Sequence, residues 1–337
     1  MRNRLPQVDF RLFSFVLSRG NMPNMFNDDR WQMEDYPRLF RGRDHARLGI
    51  TRHSLYCTDK YPSVMPGVRA DKTMFDRYPT PLWADQSWKW TALRLRAALL
   101  CYPSAVASHA TAAQVYGWPL PAGILANSEL HLSSSDKNSR IRHSQVTLHR
   151  PSVMSTQYAF GLPILSAVDV FIGIGPDLQL RDLVKLGDAA VGNWHGAPQT
   201  TIQVLKAAIL SRPRLRKGDH IRAALELVRP TVDSPAETDL RLWFGSVGLP
   251  EPKVHPQIYS HVLGRVVEPD LGFPEVKLAL EYEGEHHLRS RAQWDRDIQR
   301  DDALRDEGWT VFKVTAKTNR QFLETKIRRH LGTSCKR

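Results

Sequence analysis

The chain contains 337 residues, of which 42% are hydrophobic and 24% are charged. This composition is sufficient for packed cores and excludes a disordered or fibrous protein, and no run of about 18 uncharged apolar residues is present that could cross a membrane. The 47 Lys and Arg residues outnumber the 35 Asp and Glu residues and give a formal net charge of +12, which favours a phosphate-bearing partner such as nucleic acid.

The positions of the charged residues and of the cysteines narrow the class of protein further. Residues 233–337 contain 17 basic and 17 acidic side chains, so the whole positive excess lies in residues 1–232. The three cysteines are far apart and form no CxxC pair, which argues against a disulfide framework and against a zinc site. The apolar stretch 10–17 is short and contains Arg11, unlike a signal peptide. We therefore expect a cytoplasmic protein of two or three domains.

Residues 1–80 carry weak structural signals. No hydrophobic periodicity occurs in residues 1–45, which we expect to form a poorly ordered leader. In residues 46–80, a short amphipathic segment around 51–55 precedes an extended run, as in a small helical unit followed by a wing-like strand. Arg52 and Arg69 in this stretch are candidate DNA contacts, and the alternative is that both are exposed loop charges.

Residues 81–232 are predicted to form a mixed region that becomes helical towards its end. One broad apolar stripe predicts a helix over 85–100, and Ser108 is expected to cap a helix over 110–116. Helical periodicity then recurs four times, over 165–172, 178–191, 201–210 and 217–228.

Two strand-like runs, 130–132 and 146–149, lie within the same region. The polar loop between them contains Lys137, Arg140 and Arg142. An exposed basic loop can contact phosphates, and the alternative is that its charges are only solvated.

A compact α/β unit is predicted over residues 233–337. Ser234-Pro235-Ala236-Glu237 is a capping box with proline at the first helical position, which marks the start of a helix. The patterns that follow have the order strand, strand, strand, helix, strand, helix. These elements are predicted at 257–262, 266–271, 277–283, 292–306, 310–315 and 319–331.

Acidic residues lie at the ends of two neighbouring predicted strands of this unit. Asp270 ends one strand, and residues 272–274 are predicted to be the turn that brings the next strand beside it. Glu281 and Glu283 are two residues apart and therefore share one face of that strand. Carboxylates crowded on one face are costly unless a cation or water lies there, and hard oxygen ligands suit Mg²⁺ or Mn²⁺. The alternative is a solvated acidic strand end.

A hydrated cation at this point would supply the hydroxide that attacks a phosphodiester and would stabilise the leaving oxygen. His286 and His287 follow the acidic strand directly. Either imidazole is suited to transfer the proton, because its charge changes near neutral pH.

The same unit carries a family resemblance. The two segments that carry it are PDLGFPEVKLALEYEGEHH (269–287) and RDIQRDDALRDEGWTVFKVT (296–315). They resemble the very-short-patch-repair (Vsr-like) branch of the PD-(D/E)XK endonucleases, and most of all the uncharacterised actinobacterial members of that branch. The resemblance implies a restriction-endonuclease-like α/β domain that hydrolyses DNA with Mg²⁺ or Mn²⁺. It assigns metal binding to Asp270, Glu281 and Glu283, adds Glu237 and His287 to the catalytic set, and places Arg300 at the DNA.

One position departs from the pattern of that family. The lysine of the (D/E)XK motif, which positions the attacking water, is replaced by Glu283, and the literal EVK at 275–277 falls at the predicted hairpin turn. Glu237 also has a competing role, because its carboxylate can close the capping box on Ser234. A catalytically inactive nuclease-like domain therefore remains an alternative.

The middle of the chain resembles a second family. The matching segments are AVASHATAAQVYGWPLP (105–121), LHLSSSDKNSRIRHSQVTLHR (130–150) and LPILSAVDVFIGIG (162–175), which resemble the AbiEi family of type IV antitoxins. Members of that family combine an N-terminal winged helix that binds DNA with a further α/β domain. The resemblance implies that residues 46–80 are a degraded winged helix, that DNA is a partner and that a cognate toxin protein is a possible one.

The complete prediction is an α/β multi-domain chain. A mixed α/β antitoxin-like region over 81–232 precedes the restriction-endonuclease-like domain over 233–337. The predicted function is a metal-dependent DNA endonuclease, with a role in bacterial defence among the open settings. The alternative is a DNA-binding antitoxin or transcriptional regulator with an inactive nuclease-like domain. A structural adaptor has no direct support, and no GxSxG or Cys/His signature indicates a serine or cysteine hydrolase.

Overall fold

The computed structural model describes residues 39–57, 59–73, 78–127, 129–137, 140–141, 143–284 and 291–334. The described chain is mixed α/β, with four small sheets and helices between them, which confirms the predicted class. No helix in these residues is long and apolar enough to cross a membrane.

The first unit is a three-stranded antiparallel sheet with two short helices, in the strand order β1-β3-β2. Thr51 begins the second helix, because its hydroxyl accepts the N–H of Ser54 at 3.1 Å. The elements are β1 (Leu39–Arg41), a 3₁₀ helix (Gly42–Leu48), α1 (Arg52–Tyr56), β2 (Ser63–Met65) and β3 (Val68–Ala70).

The helix predicted around 51–55 is confirmed, whereas the boundary of the predicted leader is wrong. Residues 39–45 form β1 and the start of the 3₁₀ helix. They are ordered because β1 pairs with β3, a contact made with residues far along the chain that local periodicity does not reveal. Residues 1–38 lie outside the described residues.

The middle unit contains a five-stranded mixed sheet in the order β6-β5-β4-β8-β7. The two strand runs predicted on either side of the basic loop are confirmed and pair in parallel, with Leu130 opposite Val146. The elements up to this sheet's end are α2 (Gln86–Cys101), β4 (Val106–Ala107), α3 (His109–Tyr116), α4 (Ala122–Ala126), β5 (Leu130–Ser133), β6 (Val146–His149), β7 (Thr156–Ala159) and β8 (Leu162–Leu165).

The helices of this unit lie close to their predicted positions, except that α4 (Ala122–Ala126) was not predicted. Asp85 caps α2 through the N–H of Trp88, at 2.9 Å. Ser108 precedes α3 as predicted, but its hydroxyl lies 3.1 Å from His109 Nδ1 and makes no capping bond. The four helices that follow the sheet are α5 (Ala167–Ile174), α6 (Leu180–Val191), α7 (Ile202–Leu210) and α8 (Gly218–Leu227).

The last unit has a four-stranded sheet in the order β14-β13-β12-β9 and a separate hairpin of β10 and β11. Strands β12 and β13 are antiparallel, and β13 and β14 are parallel. The elements are α9 (Pro235–Ser246), β9 (Lys253–Val254), β10 (Ile258–Ser260), β11 (Arg265–Val267), β12 (Leu271–Phe273), β13 (Leu278–Tyr282), α10 (Arg291–Asp306), β14 (Thr310–Val314) and α11 (Arg320–Ser334).

The strand predicted over 266–271 is two strands. Strand β11 ends at Val267 and belongs to the hairpin, whereas β12 begins at Leu271 and belongs to the main sheet. Pro269 lies between them and has no N–H to continue a ladder. Asp270 therefore precedes β12 instead of ending the earlier strand.

The predicted turn at 272–274 is also displaced. Gly272 lies within β12, where a Cβ would come within 3.0 Å of both Leu278 O and Pro256 Cγ, so the residue allows a close backbone approach. The turn is a 3₁₀ segment, Pro274–Val276, followed by Lys277 in the left-handed region at φ +51°. The literal EVK segment thus falls at the turn, as predicted.

A buried ion pair joins the middle and last units. Asp188 on α6 and Arg241 on α9 lie 3.1 Å apart, and their side chains are 0% and 1% exposed. Thr238 donates to the same carboxylate at 2.7 Å, and the N–H of Arg229 donates to its other oxygen at 2.7 Å. Because both carboxylate oxygens of Asp188 accept hydrogen bonds, the contact holds α9 in a defined position against the middle unit.

Candidate metal centre

The N-terminus of α9 supplies the first acidic group. Ser234 Oγ accepts the N–H of Glu237 at 3.2 Å and donates to Glu237 Oε1 at 2.7 Å. Glu237 Oε2 accepts the N–H of Asp233 at 3.1 Å. Ser234 therefore caps the helix as predicted, whereas the carboxylate of Glu237 accepts the N–H of Asp233 instead of that of Ser234. These contacts hold the buried carboxylate in one orientation.

His255, directly after β9, approaches the same carboxylate. Its Nε2 lies 3.2 Å from Glu237 Oε2 and its Nδ1 lies 3.7 Å from Asp233 Oδ2. The hydrogen bond to Glu237 is the main cause that raises the pKa of His255. The backbone N–H of His255 donates to Asp270 O at 3.1 Å, which attaches this residue to the start of β12.

Asp270 and Glu281 lie at the end of the β12–β13 pair, where Leu271 is paired with Leu280. Asp270 directly precedes Leu271, and Glu281 directly follows Leu280. Asp270 Oδ2 accepts the N–H of Tyr282 at 2.7 Å. Burial is the main cause that raises the pKa of Asp270, and the charge of Glu237 also raises it. Burial, followed by the charge of Asp270, raises the pKa of Glu281. The pairing of β12 with β13, and not the predicted hairpin with its turn at 272–274, thus brings these two acids together.

Glu281 has one oxygen bound and one oxygen without a partner. Its Oε2 accepts a hydrogen bond from Arg300 Nη2 at 2.7 Å. Its Oε1 is buried and has no hydrogen-bond partner among the described residues. A buried carboxylate oxygen without a donor is costly, and a bound cation or water would remove that cost.

The ligand atoms of three residues converge next to this pair. One oxygen each from Glu237 and Asp270 and one ring nitrogen of His255 all lie within 4.8 Å of one another. The residues come from α9, from the end of β9 and from the start of β12. This arrangement of two carboxylates and one imidazole is able to coordinate a divalent cation.

Glu283, predicted as a metal ligand, lies outside this group of three. Its Oε1 is 2.6 Å from Lys313 Nζ, and the same ammonium lies 2.7 Å from Asp301 Oδ2. Lys313 is the register partner of Glu281 on the parallel strand β14. The positive charge that the motif lacks on β13 is therefore present on the neighbouring strand, where Glu283 and Asp301 hold it.

The residues predicted to contact DNA differ in their exposure and in their contacts. Arg52 on α1 is exposed, as are Lys137 and Arg140. Arg69 Nη1 donates to Tyr61 O at 2.7 Å, and its guanidinium carbon is 4.9 Å from the centre of the Tyr56 ring, so this side chain supports the local fold. Two predicted residues, Arg142 and His287, lie outside the described residues.

The sequence did not indicate His255. It lies between Val254 and Pro256 in a segment without a motif, and the two-residue strand β9 is too short to show periodicity. Its position depends on the pairing of β9 with β12, where Val254 lies opposite Leu271. The sequence shows only a histidine two residues before the strand predicted over 257–262. Histidines near strands are too common to indicate a site.

Comparison with known proteins gives two relatives and no family. No protein-family model matches the chain, and no solved structure matches it significantly. Two uncharacterized proteins of Mycobacterium tuberculosis, one from strain CDC 1551 / Oshkosh and one from strain ATCC 25618 / H37Rv, are each 33% identical over 129 residues. The match covers 36% of this chain and 46% of each relative, so the chain spans about half the length of the curated relatives it matches.

Proposed function

We propose that the protein is a metal-dependent endonuclease that hydrolyses DNA phosphodiesters. The observation that carries the proposal is the pairing of the half-buried Asp270 with the buried Glu281, in which Glu281 Oε1 has no partner among the described residues. This pair lies at the end of the antiparallel β12–β13 pair, with Arg300 of α10 packed against it. The residues match the positions that the Vsr-like resemblance assigns to metal binding and to the helix arginine.

The donor set of this site fits Mg²⁺ or Mn²⁺. Asp270 and Glu281 offer carboxylate oxygens, which these hard cations prefer. The cation, when bound, supplies an activated water and stabilises the charge of the leaving oxygen. The protein's contribution is to hold these acids in place: the N–H of Tyr282 fixes Asp270, and the guanidinium of Arg300 fixes Glu281. His255 and Glu237 lie beside Asp270 and are 3.2 Å from each other.

The first unit supports DNA as the substrate. The 3₁₀ helix and α1 follow one another closely and are succeeded by the β2–β3 hairpin, as in a helix-turn-helix with a wing. Arg52 is exposed on α1, the helix that would face the duplex. The excess of 12 positive charges in residues 1–232 adds an attraction to phosphates that does not depend on base sequence.

A second candidate is a DNA-binding regulator or antitoxin with an inactive nuclease-like domain. The observation that favours it is the replacement of the motif lysine by Glu283. Lys313 is held by two carboxylates, at 2.6 and 2.7 Å, which leaves it poorly placed to orient a water molecule. In this case DNA and a cognate toxin would be binding partners and no phosphodiester would be hydrolysed.

Plasmid cleavage with Mg²⁺ or Mn²⁺ tests the proposal. The wild type is compared with Asp270→Asn, which keeps the side-chain shape and removes the charge. Asp219→Asn is the control, because Asp219 is fully exposed on α8 and pairs only with a surface arginine. We expect Asp270→Asn to lower the cleavage rate by about 100-fold or more, since it removes a cation ligand, and Asp219→Asn to leave the rate unchanged.

Two outcomes would contradict the endonuclease. Equal cleavage by the wild type and Asp270→Asn would mean that the activity comes from another site or a contaminant. Absence of cleavage, with DNA still retarded in a gel and less so for Arg52→Ala, would favour the regulator instead.

A further inference from the structure

We propose that Glu237, His255 and Asp270 form a binding site for a divalent transition-metal cation, with Mn²⁺ bound in preference to Mg²⁺. The inference concerns the same centre as the proposed function and shares Asp270 with it. It adds an imidazole ligand from a position that neither the sequence motif nor the resemblance indicates. The ligand atoms of the three residues lie within 4.8 Å of one another, close enough to surround one cation.

Two of the three side chains, those of Glu237 and Asp270, are held in place by hydrogen bonds from neighbouring residues. Ser234 Oγ binds Glu237 Oε1 at 2.7 Å and leaves Oε2 towards His255. The N–H of Tyr282 binds Asp270 Oδ2 at 2.7 Å. Because these supporting contacts already fix the side chains, the binding of a cation requires little reorganisation.

The backbone of His255 is unusual in a way that serves the site. His255 has φ +43°, in the left-handed region that costs a residue with a Cβ about 1 kcal/mol or more. In this conformation its N–H binds Asp270 O at 3.1 Å while its Nε2 reaches Glu237. Asp233 lies 3.7 Å behind Nδ1, the position of the carboxylate that commonly orients a metal-binding histidine.

An independent observation is a buried carboxylate oxygen beside Asp270 that has no hydrogen-bond partner in the described part of the chain. Glu281 Oε1 is buried and unpartnered among the described residues, and it belongs to the carboxylate that faces Asp270 across the two strands. The residue as a whole is 4% exposed. A cation bound at Asp270 would neutralise the repulsion between these acids and give the buried oxygen a favourable partner.

The ligand chemistry decides which cation fits. Mg²⁺ prefers oxygen ligands in a near-ideal octahedron and is reluctant to lose its water, so an imidazole adds little to its binding. Mn²⁺ accepts both carboxylate and imidazole ligands, and later transition metals bind such nitrogen ligands more strongly still. A site with two carboxylates and one histidine therefore favours a transition-metal cation, which would then serve the hydrolysis proposed above.

Mn²⁺ binding measured without any nuclease assay tests this inference. Electron paramagnetic resonance of free hydrated Mn²⁺ gives the affinity, and competition with Mg²⁺ gives the selectivity. Electron spin echo envelope modulation of bound Mn²⁺ detects a nearby ¹⁴N nucleus and so reports directly whether an imidazole is a ligand. For the wild type we expect ¹⁴N modulation and an affinity for Mn²⁺ at least about 10-fold above that for Mg²⁺.

His255→Asn is the informative variant, because asparagine tolerates the left-handed conformation but has no imidazole. We expect it to weaken Mn²⁺ binding by about 10- to 100-fold, to change Mg²⁺ binding by less than about 3-fold, and to lose the ¹⁴N modulation. His261→Asn is the matched control, since His261 lies exposed on the nearby β10–β11 hairpin and contacts Glu307. Circular dichroism of both variants checks that they fold.

The outcomes separate this inference from the proposed nuclease. A wild type without ¹⁴N modulation, or equal Mn²⁺ affinity in His255→Asn, overturns the inference even if the protein cleaves DNA with Mg²⁺. Nitrogen-coordinated Mn²⁺ in a protein that cleaves no DNA supports the inference and contradicts the endonuclease. The wild-type spectrum remains decisive if the variant fails to fold.

Discussion

At the scale of single residues, three histidines of the middle unit form a cluster whose burial affects stability. The rings of His109 and His149 stack with centroids 3.6 Å apart, and His131 Nδ1 lies 2.9 Å from His149 Nε2. Burial, followed by the charge of the neighbouring imidazoles, lowers the pKa of His109 to about 3 and that of His149 to about 4. Burial also lowers the pKa of His131. All three therefore favour the neutral form in the folded protein.

This cluster predicts a loss of stability in mild acid. The histidine pKa values lie below the unfolded value of 6.5, so the unfolded chain binds more protons as the pH falls from 6.5 towards 4, and stability present above 6.5 is lost. We expect the contribution of this cluster to the free energy of unfolding to fall by about 1–2 kcal/mol between pH 7 and pH 5, which is less than full linkage because the rings are partly exposed. The raised pKa values of Asp188, Asp270 and Glu281 change stability in the opposite direction, so the cluster is measured as a difference between variants.

Urea unfolding at several pH values measures this dependence. His149→Gln removes one of the titrating groups and should flatten the pH profile, whereas His261→Gln, at an exposed histidine, should leave it unchanged. Equal changes in stability between pH 7 and pH 5 for the wild type and His149→Gln would contradict the prediction.

At the scale of elements, α6 lies closely against its neighbours because of one glycine. A Cβ on Gly187 would lie 2.4 Å from Val228 Cγ2 and 3.2 Å from Phe171 Cε2. Such distances require the helix or the residues after α8 to move. The close packing of α6 within the middle unit therefore depends on the absence of a side chain at this position.

Gly187→Ala is expected to destabilise the protein by about 1–3 kcal/mol, because the steric cost exceeds the gain in helix propensity of about 1 kcal/mol. Gly245→Ala in α9 is the matched control, since no atom lies within 4 Å of its added Cβ. There the gain in propensity should leave stability equal or slightly higher. Thermal unfolding of both variants gives the comparison, and equal melting temperatures would show that α6 can shift without cost.

Elements with strong local signals were predictable, and short ones were not. The helices α2, α6 and α8 repeat an apolar stripe over several turns, so their positions follow from the sequence alone. Strands β4 and β9 have two residues each and carry no periodicity. The prediction of one strand over 266–271 was wrong because the strands there are also short. Pro269 separates β11 from β12, and these two strands belong to different sheets.

At the scale of the whole molecule, the buried pair of Asp188 and Arg241 links the two larger units. Besides Asp188, Arg241 contacts Leu227 O at 2.8 Å and Glu251 Oε1 at 2.9 Å. The pair is buried, so its removal leaves a charge without compensation. The same helix, α9, presents Glu237 to the candidate metal centre, and the ion pair therefore helps to position the site.

Arg241→Met is expected to lower the free energy of unfolding by about 3–5 kcal/mol, since it leaves the Asp188 carboxylate buried and unpaired. The double variant Arg241→Met/Asp188→Asn should recover about half of that loss or more, because the amide carries no charge and keeps the contacts with Thr238 and Arg229. Urea unfolding provides both values. A double variant as unstable as the single one would show that packing, and not the unpaired charge, causes the loss.

The sequence by itself determined the features that depend on neighbouring residues. The start of α9 at Ser234, the final helix, strand and helix, and the acidic residues near neighbouring strands follow from local patterns. Tertiary structure decided which groups join them. His255 reaches Glu237 only because β9 pairs with β12, and Glu283 turns to Lys313 because β14 lies parallel to β13. Local periodicity carries no information about such pairings, since they depend on residues distant in the chain that fold to the same place.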